Sequence, residues 1–158
     1  MKISDLYKIF NDHPNVTTDT RNIKENSIFF ALKGDNFNGN KFARKAIKDG
    51  CHYAIIDQAE FQLNEKYILV DDVLKCLQNL ATYHRDQIMI PVIGITGTNG
   101  KTTSKELIYS CLSTELNTLA TDGNYNNHIG VPLTLLRANK EHDIAIIEMG
   151  ANHENEIT

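Results

Sequence analysis

Apolar positions along this chain fall in short blocks whose spacing switches between the helical and the extended period. Residues 4–10 put Leu6, Ile9 and Phe10 on one helical side, with Ser4 where a capping hydroxyl belongs and His13-Pro14-Asn15 as the stop. Residues 16–21 are polar and β-branched and predict an edge strand. Ile28-Phe29-Phe30-Ala31-Leu32 is a continuous apolar run of strand length, bounded by polar turn residues on both sides. Residues 42–48 predict a helix with Phe42, Ala43, Ala46 and Ile47 on one face and Gly50 at its C-terminal cap. Residues 53–56 and 67–70 predict short strands. Asp71 or Asp72 then caps a longer helix carrying Val73, Leu74, Leu77, Leu80, Ala81 and His84 at helical spacing. His84 reads as a helix-face histidine without chemistry.

The polar segment His84-Arg85-Asp86-Gln87 precedes a new apolar strand, which places a domain boundary there: residues 1–84 and residues 85–158. The second part opens with a buried-type strand over 91–96, followed at once by a glycine-rich loop and a helix over 102–113 whose inner face is Leu107, Ile108, Cys111 and Leu112. A strand at 118–121, a polar loop, a helix opening at Gly130-Val131-Pro132 and a buried strand over 143–149 complete the alternation, and a further helix is expected from His153. Strand and helix in turn predict an α/β fold: a small α/β N-terminal domain, then a phosphate-loop domain with a mainly parallel sheet that is truncated at the chain's end.

Composition narrows the classes. The net charge is −4 with no basic stripe, which argues against nucleic acid as a partner. The three cysteines are far apart and form no CxxC pair, so they read as free thiols in a reducing compartment. The start of the chain lacks the apolar run of a signal peptide, and its least polar stretch is too short to span a bilayer. The expectation is a cytoplasmic monomer without membrane insertion.

The chemistry concentrates in Gly97-Thr98-Asn99-Gly100-Lys101-Thr102-Thr103, between a strand and a helix. Glycines let consecutive amides turn into one concavity, and the helix start adds free N–H groups and its positive dipole end. Lys101 supplies a mobile charge for β- and γ-phosphates, and the Thr102 hydroxyl is a ligand for the bridging Mg²⁺. The strict pattern GxxxxGK[ST] is not met, because Ile95 stands where its first glycine belongs. Glu148, at the end of the strand Ile144-Ala145-Ile146-Ile147, is the candidate second metal ligand; the bland alternative is a strand-end acid facing solvent.

Thr96-Gly97-Thr98-Asn99-Gly100-Lys101-Thr102-Thr103 resembles the ATP loop of the Mur ligases and the related folylpolyglutamate synthases, whose variant glycine spacing accounts for Ile95. Gly123-Asn124-Tyr125-Asn126-Asn127-His128-Ile129-Gly130-Val131-Pro132-Leu133-Thr134-Leu135-Leu136 and Ile147-Glu148-Met149-Gly150-Ala151-Asn152-His153-Glu154-Asn155-Glu156-Ile157 resemble segments of the family member that adds D-alanyl-D-alanine. In the first half, Thr18-Asp19-Thr20-Arg21 and Ser27 through Lys33-Gly34 resemble the family's domain for the UDP end of a nucleotide-sugar peptide. The family often has Asp-Gly-His after that glycine; here Asn38-Gly39-Asn40 stands instead, and Asn40 is assigned no role. Family members have three domains and are far longer, so the chain looks like an N-terminal portion.

The resemblance implies an ATP-dependent ligase that joins D-alanyl-D-alanine to UDP-N-acetylmuramoyl-tripeptide in peptidoglycan synthesis, through an acyl phosphate. It implies catalytic roles for Lys101 and Glu148, ATP contacts from Gly97 through Thr103, and Mg²⁺ on Thr102 and Glu148. Asn126 and Asn127 stand equally as phosphate or acyl donors and as local turn caps. Asp19, Thr20 and Arg21, with Lys33 and Gly34, are candidates for the uridine-diphosphate pocket; an edge-strand ion pair and a surface turn are the alternatives. His153 reads as a surface histidine. Two other readings stand beside the ligase: a module that only binds UDP-sugar or ATP, and a small-molecule kinase, against which the Asn-rich segment and the aromatic strand speak.

Overall fold

The computed structural model describes residues 1–150, so the helix expected from His153 lies outside the described residues. The chain divides into two compact units, Met1–Tyr83 and His84–Thr158.

In the first unit α1 (Ile3–Asp12) buries Leu6 and Phe10, one turn apart. It begins at Ile3, with Lys2 at the N-cap and no side-chain cap, so Ser4 lies inside the helix and caps nothing. The strand β1 is only Val16–Thr17. It stops there because the Thr17 hydroxyl closes a local ring on Asp19, donating to its carbonyl at 3.0 Å and accepting from its amide at 3.1 Å. Such side-chain bonds give the backbone an alternative to the ladder, which the β-branched composition alone did not reveal. After β2 (Ile28–Phe30), β3 (Lys33–Gly34) and β4 (Phe37–Asn38) make an antiparallel hairpin that the apolar pattern did not predict.

A 3₁₀ turn (Gly39–Phe42) leads into α2 (Ala43–Lys48), which is shorter than the expected helix and leaves Phe42 exposed. Then follow β5 (Tyr53–Ile56), a 3₁₀ turn (Ala59–Phe61) and β6 (Tyr67–Leu69). The sheet order is β1-β2-β5-β6, parallel throughout. Phe29, Ala31, Ala54 and Ile56 pack against Ala43 and Ala46 of α2 to form a core. Helix α3 (Val73–Gln87) is capped by Asp72, whose carboxylate accepts from the Lys75 amide at 2.9 Å. It continues through the polar stretch 84–87, the segment at which the sequence reading set the domain boundary.

The second unit holds β7 (Val92–Ile95), α4 (Lys101–Leu112), β8 (Thr118–Ala120), α5 (Gly130–Leu135) and β9 (Ile144–Glu148). The order is β7-β9-β8, again parallel, so the strand latest in sequence lies in the middle. β9 is accordingly buried, while β7, an edge among the described residues, is half-buried rather than fully buried. His84 is also buried, with its Nε2–H on the Ala138 carbonyl at 2.8 Å.

Helix α4 corrects one expectation. Leu107 and Cys111 are exposed, and the buried residue of the helix is Lys105. The inward line is Lys101, Lys105, Ile108 and Leu112, spaced four, three and four. Hydrophobicity alone selected a neighbouring stripe because the inner line contains two lysines.

Candidate functional site

Strand β7 ends at Ile95, which pairs in register with Glu148 of β9. The loop after β7 and the carboxylate at the end of β9 therefore meet at the carboxyl edge of a parallel sheet, where open α/β sheets place ligands. Two loop positions have a left-handed backbone, Gly97 at φ 145° and Gly100 at φ 78°. A Cβ at either would be strained, so glycine is the residue that permits this turn. Gly100 is also the N-cap of α4 and brings no capping side chain, which leaves the first-turn amides of the helix for an anion. The Lys101 ammonium bends back over the loop and donates to the Gly97 carbonyl at 2.6 Å. Thr98, Asn99 and Thr103 are exposed around it, as a surface that receives a ligand requires.

Glu148 is 1% exposed, so it is not a solvent-facing strand-end acid. Its Oε1 accepts from the Thr102 hydroxyl at 3.2 Å and from the Asn126 side-chain amide at 2.8 Å. Its Oε2 is buried and has no hydrogen-bond partner. A buried carboxylate oxygen without a partner is costly. A hard cation held between this oxygen and the Thr102 hydroxyl would satisfy it, so the donor set fits Mg²⁺. No cluster of three or more His, Cys, Asp or Glu occurs among the described residues, so a metal here would draw on a hydroxyl and other oxygen donors.

The two asparagines part company. Asn126 reaches Glu148 with its side chain and accepts from the Gly150 amide at 2.7 Å with its carbonyl. Asn127 instead accepts from the Ile129 and Gly130 amides at 3.0 and 2.8 Å, and so caps the entry to α5. His153 and residues 151–157 of the resembling segment lie outside the described residues.

In the first unit Arg21 forms a forked pair with Asp19, with Nε to both carboxylate oxygens and Nη2 to Oδ2 at 2.6 Å. These bonds, with the Arg21 amide donating to Oδ1 at 2.9 Å, hold the Asp19 carboxyl down to about 2. The Arg21 side chain is 89% exposed. The Thr20 carbonyl accepts from Lys45 Nζ at 3.1 Å. Lys33 pairs with the buried carboxylate of Asp57 at 2.9 Å. A Cβ at Gly34 would meet nothing within 4 Å, so the fold itself does not require glycine there.

Four residues escaped the sequence reading. Asn40 is fully buried, donating to Asn38 and Asp57 and accepting from the Asp57 amide, and so ties the hairpin to the end of β5. The buried carboxylate of Asp57 is the hub of that network. Thr121 and Lys105 stand behind Glu148: Glu148 donates its amide to Thr121 Oγ1 at 2.9 Å, and Lys105 Nζ donates to the Thr121 carbonyl at 2.7 Å. The one local signal was the position of Lys105, four residues after Lys101 on the same side of a helix.

Comparison with known proteins shows the family and the fold. Residues 14–85 match the family described as Mur ligase family, catalytic domain, and residues 95–158 match the Mur ligase middle domain. A relative from Bacillus subtilis named UDP-N-acetylmuramoyl-tripeptide--D-alanyl-D-alanine ligase is 41% identical over 144 residues, 90% of this chain and 32% of the relative. The crystal structure of MurF from Acinetobacter baumannii superposes with a TM-score of 0.80 at 38% identity, covering 89% of this chain and 31% of that one. The MurF ligase of Thermotoga maritima, solved in complex with ADP, gives 0.79 at 29% identity, covering 97% of this chain and 34% of that one. The chain thus spans about a third of the length of the relatives it matches.

Proposed function

The chain belongs to the Mur ligase family, and from that membership we propose that it is the front portion of an ATP-dependent ligase adding D-alanyl-D-alanine to UDP-N-acetylmuramoyl-tripeptide. The names of the relatives supply the substrates, and the ADP complex of the Thermotoga protein supports ATP as the phosphoryl donor. The observation that carries the reading is the buried Glu148 carboxylate beside Thr102, at the foot of the phosphate loop.

In this reading the tripeptide carboxylate attacks the γ-phosphorus of ATP, giving an acyl phosphate and ADP. The dipeptide amine then attacks the acyl carbon, and phosphate leaves as the amide forms. The physical obstacle is the approach of one anion to another. Lys101 and the amides of the loop and of the α4 start offset the phosphate charge in fixed positions, at no reorganisation cost during the reaction. Thr102 and Glu148 would hold Mg²⁺, which supplies charge neutralisation on the phosphates. Asn126 keeps the Glu148 carboxylate aimed at Thr102. Asp19, Thr20, Arg21, Lys33 and Gly34 are assigned to the uridine-diphosphate end of the substrate, where Arg21 presents an exposed guanidinium. Among the described residues no helix is long and apolar enough to cross a membrane. The reaction is assigned to the cytoplasm and to a monomer.

Lys101→Ala in the complete protein tests the loop. Phosphate release with tripeptide and D-alanyl-D-alanine is expected to fall by about 10³-fold or more, with affinity for the UDP-sugar peptide retained. Ligation at the original rate would overturn the assignment. The second reading, a binding module without turnover, rests on the chain covering 32% of its relative; turnover by the 158 residues alone would exclude it.

A further inference from the structure

Lys105 is 2% exposed, on a helix whose other side chains are half-buried or exposed. Burying an ammonium is costly unless it is well partnered. Its partners are the Thr121 carbonyl at 2.7 Å and the Glu106 carboxylate at 2.9 Å. Glu106 is 60% exposed, so the buried anchor of Lys105 is Thr121. Thr121, itself buried, follows β8 and spans to the neighbouring strand: its amide donates to the Ile146 carbonyl at 3.0 Å, and its hydroxyl accepts from the Glu148 amide at 2.9 Å. A chain of three residues, linked through the Thr121 carbonyl and the Glu148 amide, thus runs from α4 through the end of β8 to the residue whose carboxylate meets Thr102, and Thr102 lies three residues before Lys105 on α4. The same helix therefore holds Glu148 from in front, by the Thr102 hydroxyl, and from behind, through Thr121.

We propose that Lys105 is a positioning residue of the phosphate site: by pinning the Thr121 carbonyl it fixes the Thr121 hydroxyl on the Glu148 amide and so sets where the Glu148 carboxylate stands relative to Thr102. This rests on the reading of Glu148 as a metal ligand. The geometry explains why a lysine occupies an inward helix position that an apolar residue would fill at lower desolvation cost. An ammonium reaches a carbonyl that no hydrocarbon can hold in place.

Two readouts test it in the complete protein. Without metal or nucleotide, amide exchange at Glu148 is expected to speed up about tenfold in Lys105→Met and Thr121→Val, and to stay as in the parent in Thr121→Ser, which keeps the hydroxyl. With the loop loaded, the Mg²⁺ concentration for half-maximal binding of a non-hydrolysable ATP analogue is expected to rise about 10–100-fold in the first two variants, as outer-shell losses do. The double variant should be no worse than the poorer single one. Unchanged exchange and unchanged Mg²⁺ dependence in a folded Lys105→Met would overturn the proposal. If that variant does not fold, Thr121→Val against Thr121→Ser decides alone, and equal behaviour of the two overturns it. Glu148→Gln separates the layers. If its Mg²⁺ dependence is that of the parent, the metal reading itself fails; if it loses Mg²⁺ while Lys105→Met and Thr121→Val do not, only the role of Lys105 fails.

Discussion

Single side chains set the electrostatics of both units. In the first, the forked bonds from Arg21 hold the Asp19 carboxyl at about 2. The folded value is depressed, so any stability from the pair is present above the unfolded carboxylate range and is lost as pH falls toward 2. Both groups are substantially exposed, so this contribution is small. The sharper consequence is local: Arg21→Ala should raise the Asp19 carboxyl part of the way to its ordinary value, because the residue-21 amide still donates to Oδ1, read by NMR titration of that carboxylate. A value still near 2 would mean that the Arg21 side chain is not what holds it. In the second unit, burial pushes the His84 imidazole down, partly offset by its bond to the Ala138 carbonyl. The neutral form is the folded one, so stability is full above the ordinary histidine range and falls once pH drops below about 6.5. His84→Gln, which keeps a donor, should flatten that decline in chemical-denaturation curves between about pH 7 and 5.

Elements here are fixed by close backbone approaches as much as by propensity. A Cβ at Gly130 would lie 2.4–2.5 Å from the Tyr125 backbone, so the start of α5 and the loop before it pack without room for a methyl. Gly130→Ala should cost about 1–3 kcal/mol in unfolding free energy and displace Asn126 from Glu148. An altered Asn126 side-chain amide resonance would report the displacement. Gly39 is as tight, with the Leu32 carbonyl oxygen 2.4 Å from a built Cβ. Neither constraint shows in the sequence, because each clash involves a segment several residues away. What the sequence did show at this scale was the alternation of elements, since period and turn residues are local. It misjudged β1, where a threonine side chain competes with the ladder, and α4, where the buried position is a lysine rather than a leucine.

At the scale of the whole molecule, each unit has its own parallel sheet and its own candidate site. Ligand protection should follow that division. In hydrogen exchange of the complete protein, UDP should slow amides within residues 1–83 around Asp19 and Lys33, and an ATP analogue should slow those around 97–103 and 148. Protection by UDP confined to the second unit would refute the assignment of the first. The phosphate loop was legible by itself because its chemistry lies in consecutive residues: glycines, a lysine and a threonine at a helix start. The glycine spacing and the Asn-rich segment carried the family. Their neighbour Glu148 was legible as a strand-end acid and a candidate metal ligand, but not as a buried one. Its burial, its bonds to residues 46 and 22 positions away, and the Lys105–Thr121 support behind it came from the sheet order β7-β9-β8. The physical reason is that a carboxylate's environment is made of groups distant in sequence, and pairing β9 between β7 and β8 brings them together.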